Sequence, residues 1–103
     1  MNLYLLTQDT VRGYDTYDSC VVCAESEEEA QTVIPETYQR DYRDTPRYQY
    51  RDGILWDTEY EEEPANENVA GWPSHQSEVK VKLIGIAEPS VEKGVVGASY
   101  NAG

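Results

Sequence analysis

The spacing of apolar and polar residues along the chain separates several strands from one helix. Met1 to Gln8, MNLYLLTQ, is an apolar run of strand length. Asp9 to Asp18 carries Gly13 among Asp and Thr turn formers and reads as a loop or hairpin connection. A second strand, Tyr17 to Ala24, holds the small and β-branched run Cys20-Val21-Val22-Cys23-Ala24 and leads directly into a helix start. Ser26 is the N-cap and Glu29 lies three residues on. That is the capping-box spacing, in which the serine oxygen accepts a free helix N–H and the glutamate reaches back. Glu27 and Glu28 add negative charge at the positive end of the helix dipole. Ala30, Val33 and Ile34 then recur at i, i+3 and i+4, and Pro35 is expected to end the helix. A helix this short takes its stability from packing on a sheet.

Near the other end, Val79 to Ala87, VKVKLIGIA, alternates cleanly. Val79, Val81 and Leu83 share one face and Lys80 and Lys82 the other, while Ile84 and Ile86 suggest that the far end is covered on both sides. Glu88-Pro89-Ser90 breaks this strand, and Val95 to Tyr100 forms the last one, with Gly97 and Ala98 small enough for close packing under the helix. The expected order is β-β-α, insertion, β-β: one domain over residues 1–103, class α+β, a small antiparallel sheet of about four strands with one helix on a face.

The insertion, residues 36–72, has a different character. Tyr38, Tyr42, Tyr48, Tyr50 and Tyr60 are interleaved with charge, and apolar order returns only at Ile54-Leu55-Trp56. Arg47 to Trp56 alternates around Asp52-Gly53, a dipeptide that favours tight turns, which predicts a small hairpin. Tyr60 to Gly71 reads as an exposed loop. The section holds ten acidic residues against four arginines, half of the net charge of −12.

That charge, with a pI near 4.2, opposes binding to nucleic acid or to an anionic membrane face and points to a basic partner. Phenylalanine is absent and nine tyrosines replace it, an aromatic set suited to half-buried surfaces and interfaces. No apolar stretch approaches the roughly 20 residues that span a bilayer, and the first residues lack the pattern of an export signal, so a cytoplasmic setting is expected. Two cysteines three apart supply no disulfide framework, which agrees with a reducing compartment.

Chemical motifs are few. Cys20-Val21-Val22-Cys23 has CxxC spacing, but a strand turns residues i and i+3 to opposite faces, whereas a zinc knuckle needs both thiolates on one side of a turn. His75 is the lone histidine and has no second group to work with in catalysis. Gly94 and Gly97 lack phosphate-loop spacing, and the carboxylates at Asp15, Asp18 and Glu59 to Glu63 lack the order of a calcium loop. No catalytic residue, metal site or cofactor is expected, and the chain does not read as an enzyme.

The segments LYLLTQ and GYDTYDS with VV and AESEEEA in the first third, and KLIG and GV-GASYNAG at the end, resemble a family of small, uncharacterised acidic proteins encoded by bacteriophages and prophages. The resemblance covers about 30 residues at the start and about 25 at the end, and leaves the Tyr-rich section outside. It implies phage origin and a bacterial host cytoplasm. Because such genes often sit among accessory genes, it also implies a class that includes proteins disarming host defences, anti-CRISPR proteins among them.

Two functional readings follow. In the first, carboxylates spread over one surface imitate the phosphate row of a duplex and occupy the basic groove of a host nucleic-acid-handling complex. Asp41, Asp44, Asp57, Glu59, Glu61, Glu62 and Glu63 supply the charge and Tyr42, Tyr48, Tyr50 and Trp56 the anchors. The partner is a basic protein or nucleoprotein complex, with no direct contact to nucleic acid or membrane. In the second, Arg40, Arg43, Arg47 and Arg51 with Tyr48 and Tyr50 collect a nucleotide signal. The chain acts as a monomer or a homodimer, the latter through an edge strand such as Met1 to Gln8 or Val95 to Tyr100.

Overall fold

The computed structural model describes residues 1–35, 48–58, 63–65 and 70–101. Strands β1 (Asn2–Thr7) and β2 (Thr16–Ala24) form an antiparallel pair, followed by helix α1 (Glu27–Gln31). The insertion contributes β3 (Tyr48–Arg51), β4 (Ile54–Asp57) and the two-residue β5 (Glu63–Pro64); a 3-10 turn at Gln76–Glu78 then leads to β6 (Lys80–Ile86) and β7 (Gly94–Asn101). The main sheet has the order β6-β1-β2-β7, antiparallel throughout, and the smaller one β3-β4-β5. This is a small α+β fold of the expected kind.

The order places β1 and β2 inside and β6 and β7 at the two edges. Met1 to Gln8 is therefore no edge strand: β2 pairs with one side of it and β6 with the other. Register accounts for burial along both inner strands. Leu6 lies opposite Cys20 and Tyr4 opposite Val22, and all four point into one core. Tyr48, Leu55 and the fully buried Trp72 join them there, so a single core unites the two sheets. Leu6 and Leu55 are wholly removed from solvent, which contributes about 1.5–3 kcal/mol each.

Around α1 the local signals act as expected, with two differences. The Glu29 N–H donates to Ser26 Oγ at 3.1 Å, while the Glu29 carboxylate accepts from the Glu25 N–H at 3.1 Å, one residue before the cap. The helix also stops at Gln31, short of Val33 and Ile34. The N–H groups of Thr32 and Val33 bond three residues back, to Glu29 and Ala30, which tightens the end, and Pro35 excludes helical backbone at the residue before it. Val33 and Ile34 are buried all the same, from the segment beyond the helix.

Five helical residues rise about 7.5 Å, whereas β6 runs about 23 Å. The helix packs against β6, β2 and β1. Gln31 Nε2 donates to the carbonyls of Gln76 and Val79, which fixes it over the start of β6 and leaves the far end bare. Leu83, Ile84 and Ile86 are exposed, contrary to the cover on both sides that the spacing of Ile84 and Ile86 suggests, and the pairing with β1 shifts register at Ile84, between Leu3–Gly85 and Tyr4–Leu83. At Gly97, likewise, nothing lies within 4 Å of where a Cβ would stand, so this position is open and not pressed under the helix. Ala98 does pack against the core.

Between β1 and β2 the loop is held by one buried amide. Gln8 Nε2 donates to the carbonyls of Val11 (2.8 Å) and Tyr17 (2.7 Å), and its Oε1 accepts from the N–H groups of Thr10 (2.9 Å) and Val11 (2.8 Å). The end of β7 fastens the same loop from outside: Asn101 Nδ2 donates to the Gly13 carbonyl at 2.8 Å and the Tyr100 hydroxyl to Asp15 Oδ1 at 3.0 Å.

Candidate partner-binding surface

The hairpin foreseen around Asp52-Gly53 is present. Both turn residues have positive φ, 53° and 78°, the backbone of the tight turn that Asp-Gly favours. Its register pairs Tyr48 with Asp57, Gln49 with Trp56, Tyr50 with Leu55 and Arg51 with Ile54. Pairs therefore alternate between an inner and an outer face. Leu55 is fully buried, so Tyr48 and Tyr50 also turn inward; the Tyr50 hydroxyl donates to the Pro73 carbonyl at 2.6 Å. The Leu55 N–H donates to Ser74 O and the Gln76 N–H to Gly53 O, tying the hairpin to the segment that precedes β6.

This arrangement divides the expected contact residues. Tyr48 is 3% and Asp57 8% exposed, too little for either to act as a contact residue: one completes the core and the other lies opposite it in the register. Tyr50 is partly covered and engaged with Pro73. Trp56 faces outward, with the Arg51 guanidinium 5.7 Å from its ring centroid, a cation–π arrangement. Ile54, 41% exposed, shares that face and bridges to His75. Asp41, Tyr42, Asp44, Glu59, Glu61 and Glu62 lie outside the described residues; Glu63 contributes its backbone to β5, opposite Asp57.

Most of the described carboxylates gather elsewhere, at the two ends of the main sheet. Asp9, Asp15 and Asp18 surround the β1–β2 loop, where the exposed Tyr14 also stands. At the opposite end of β2, Glu25, Glu27 and Glu28 open the helix, and the β6–β7 connection crosses close by with Glu88 and Glu92. The Ala87 N–H donates to Met1 O there, and Lys93 Nζ meets Glu29 Oε2 at 3.2 Å. The Glu25 N–H and, to a smaller degree, Lys93 hold the Glu29 carboxyl below its ordinary pKa. The nine residues of β2 set the two ends about 26 Å apart. Asp18, Glu25, Glu27, Glu28, Glu88 and Glu92 are exposed and, among the described residues, in no ion pair. Neither end is marked by motif spacing, because strand pairing brings each together.

The cysteines and the histidine carry no comparable arrangement. Cys20 lies opposite Leu6 on the core face and Cys23 opposite Leu3 on the other, both buried and unbridged. Burial pushes the Cys20 thiol up to about 12. His75 is exposed, its Nδ1 3.2 Å from the neighbouring Ser74 Oγ. Among the described residues no group of His, Cys, Asp or Glu side chains converges on a metal position, and no helix is long and apolar enough to cross a membrane. For a nucleotide site, Arg40, Arg43 and Arg47 lie outside the described residues, and Arg51 stands over Trp56.

The chain matches no family model, no curated protein and no solved structure.

Proposed function

We propose that this chain is a binding protein that attaches to a basic surface of a host nucleic-acid-handling defence complex of the CRISPR-effector kind and blocks its access to DNA, as a phage-encoded inhibitor in the bacterial cytoplasm would. The observation that carries the reading is the set of exposed carboxylates that, among the described residues, are in no ion pair at both ends of the main sheet, Asp18 at one and Glu25, Glu27, Glu28, Glu88 and Glu92 at the other. Charges without an internal counterion project their field outward and attract a basic groove. Duplex DNA carries about 15 phosphates over the same 26 Å or so. The protein surface is sparser than that, which suits a discrete basic patch better than a whole duplex channel. Trp56, with Arg51 stacked on it, offers an anchor of the type that dominates interface energies.

The test is competition. Purified effector complexes are bound to labelled target DNA, and the protein is added at increasing salt. Release of DNA that fades steeply as salt rises, and that is lost in a variant with Glu25, Glu27 and Glu28 changed to glutamine or in one with Glu59, Glu61, Glu62 and Glu63 so changed, supports the proposal. Absence of release from every complex at low salt overturns it.

A further inference from the structure

The helix and the smaller sheet both lie on one face of the main sheet. Ala30 and Ile34 at the helix, and Tyr48, Leu55 and Trp72 from the hairpin and the chain beyond it, join the core on the side of Leu6 and Val22. Among the described residues no α-helix or second sheet covers the other face; the β6–β7 connection reaches over its Cys23 end, where the thiol lies 3.8 Å from the Val91 carbonyl oxygen. Strand pairing lays two rows of side chains across that open face. Lys82, Leu5, Val21 and Gly97 form one, and Lys80, Thr7, Ser19 and Ser99 the next. Both rows lie clear of the register shifts at Asp18, Ile84 and Val96. Leu5 and Val21 are half-buried in the middle, while Lys80, Lys82, Gly97 and Ser99 are exposed at the edges. Lys80 stands 3.9 Å from Asp9, and Lys82 is in no ion pair among the described residues. In a chain with twenty acidic residues against eight basic ones, these rows hold two lysines and no carboxylate, so two copies repel each other least across this face.

We propose that this face packs against the same face of a second copy, about a two-fold axis that runs along the strands between β1 and β2. The axis sets β1 over β2 of the other copy and β6 over its β7, an aligned sheet-on-sheet packing. Leu5 then meets the Val21 of the second copy, twice across the axis. Lys82 and Lys80 lie over Gly97 and Ser99 of the second copy, small residues that leave room for their long stems. Nothing lies within 4 Å of where a Cβ on Gly97 would stand. A two-fold axis across the strands would instead set β6 over β6 and lysine over lysine, so the side chains select the first arrangement. The interface is isologous, as a two-fold dimer requires. Four strands at about 4.8 Å and the five residues from Leu3 to Thr7 at about 3.3 Å make a patch of about 19 by 17 Å. That is small for a permanent pair, so the dimer is weak and depends on concentration. Two chains of net charge −12 repel, so it tightens as salt rises, opposite to the behaviour of a basic partner.

Sedimentation velocity from micromolar to millimolar protein, at low and high salt, reads the association. A dimer favoured by salt is expected. Val21→Glu, which puts a carboxylate at the centre of the face in both copies, should weaken it about tenfold or more. Gly97→Lys acts at an exposed, open position that the fold tolerates, and sets lysine against the Lys82 of the second copy; it should weaken the dimer to a similar degree. Adding Lys82→Glu to Gly97→Lys should restore it. Within one copy β6 and β7 are the two edges of the sheet, three strand spacings or about 14 Å apart, so such a rescue must act between copies. A monomer at every concentration, a dimer indifferent to both Val21→Glu and Gly97→Lys, or a Gly97→Lys defect that Lys82→Glu leaves unrepaired overturns the proposal.

Discussion

Replacing Gln8 by leucine removes the amide that organises the β1–β2 loop while keeping much of its bulk. Four backbone groups lose a partner: the Thr10 and Val11 N–H groups and the Val11 and Tyr17 carbonyls. Thr10 is exposed and recovers a water, but Val11 is 3% exposed and its N–H and carbonyl are left unsatisfied. At about 1–3 kcal/mol for each buried group left without a partner, partly relieved by local opening, the loss comes to about 3–5 kcal/mol. A domain of this size has about 5–15 kcal/mol in total, so the effect is large. Urea denaturation followed by the emission of Trp72, fully buried in the fold, measures it. Gln8→Glu adds a pH signature. Its carboxylate can accept the two N–H groups but sits against two carbonyl oxygens, so its folded pKa is raised above the unfolded one. Stability is then greatest below the unfolded pKa and declines as pH rises through the folded one; the variant should lie closer to wild type near about pH 4 than near about pH 7. A loss under about 1 kcal/mol for Gln8→Leu, at an unchanged denaturant slope, would refute the claim that this amide holds the loop.

Two glycines with positive φ should respond unequally to alanine. At Gly71 a Cβ would lie 2.6 Å from the Asp15 carbonyl oxygen and 3.2 Å from Thr16 Cα, so Gly71→Ala should cost on the order of 3 kcal/mol in thermal or chemical unfolding, whereas Gly53→Ala, with open space around it, should cost about 1 kcal/mol. Equal losses would contradict the packing described at Gly71. Cys20, its thiol pushed up to about 12 by burial, stays neutral in the fold after the unfolded chain has begun to ionise near pH 9.0. Its stabilising effect is complete below that unfolded value and falls as pH rises toward the folded one. Wild type should therefore lose about 1.4 kcal/mol per pH unit more than Cys20→Val above pH 9.0, measured by unfolding along an alkaline series.

What could be read from the chain beforehand was local. Ser26 and Glu29 announce the helix start, and Asp52-Gly53 the turn, because each acts within a few residues of itself. Alternation in Val79 to Val81 marks β6 for the same reason. Pattern does not show how far a neighbouring element reaches. Ile84 and Ile86 look like covered residues, but α1 is short and held by Gln31 at the start of β6, and the strand bulges at Ile84, so both are exposed. Nor does it fix strand order: nothing near Met1 to Gln8 reveals that β6 pairs with it from far along the chain. At the candidate surface, alternation groups Tyr48 with Tyr50 and Gln49 with Trp56, but which pair faces inward depends on the contact with Pro73 and Ser74. Gln8 was legible only as the polar end of an apolar strand before turn formers, a signal that does not distinguish a buried amide from an exposed one.

The placement of β1 and β2 in the middle of the main sheet has a consequence for how the chain acquires its shape. These two strands are made first and can pair at once, yet Leu6 must wait for Val81 and Cys20 for Ala98 before either outer flank is closed. Pairings so distant in sequence form slowly, since a long loop must close before any contact rewards it. For that interval a nascent hairpin displays two unprotected sides, the condition in which chains adhere to one another. Mutual repulsion among strongly acidic chains lowers the rate of such encounters, so the excess of carboxylates also serves the protein before it is folded.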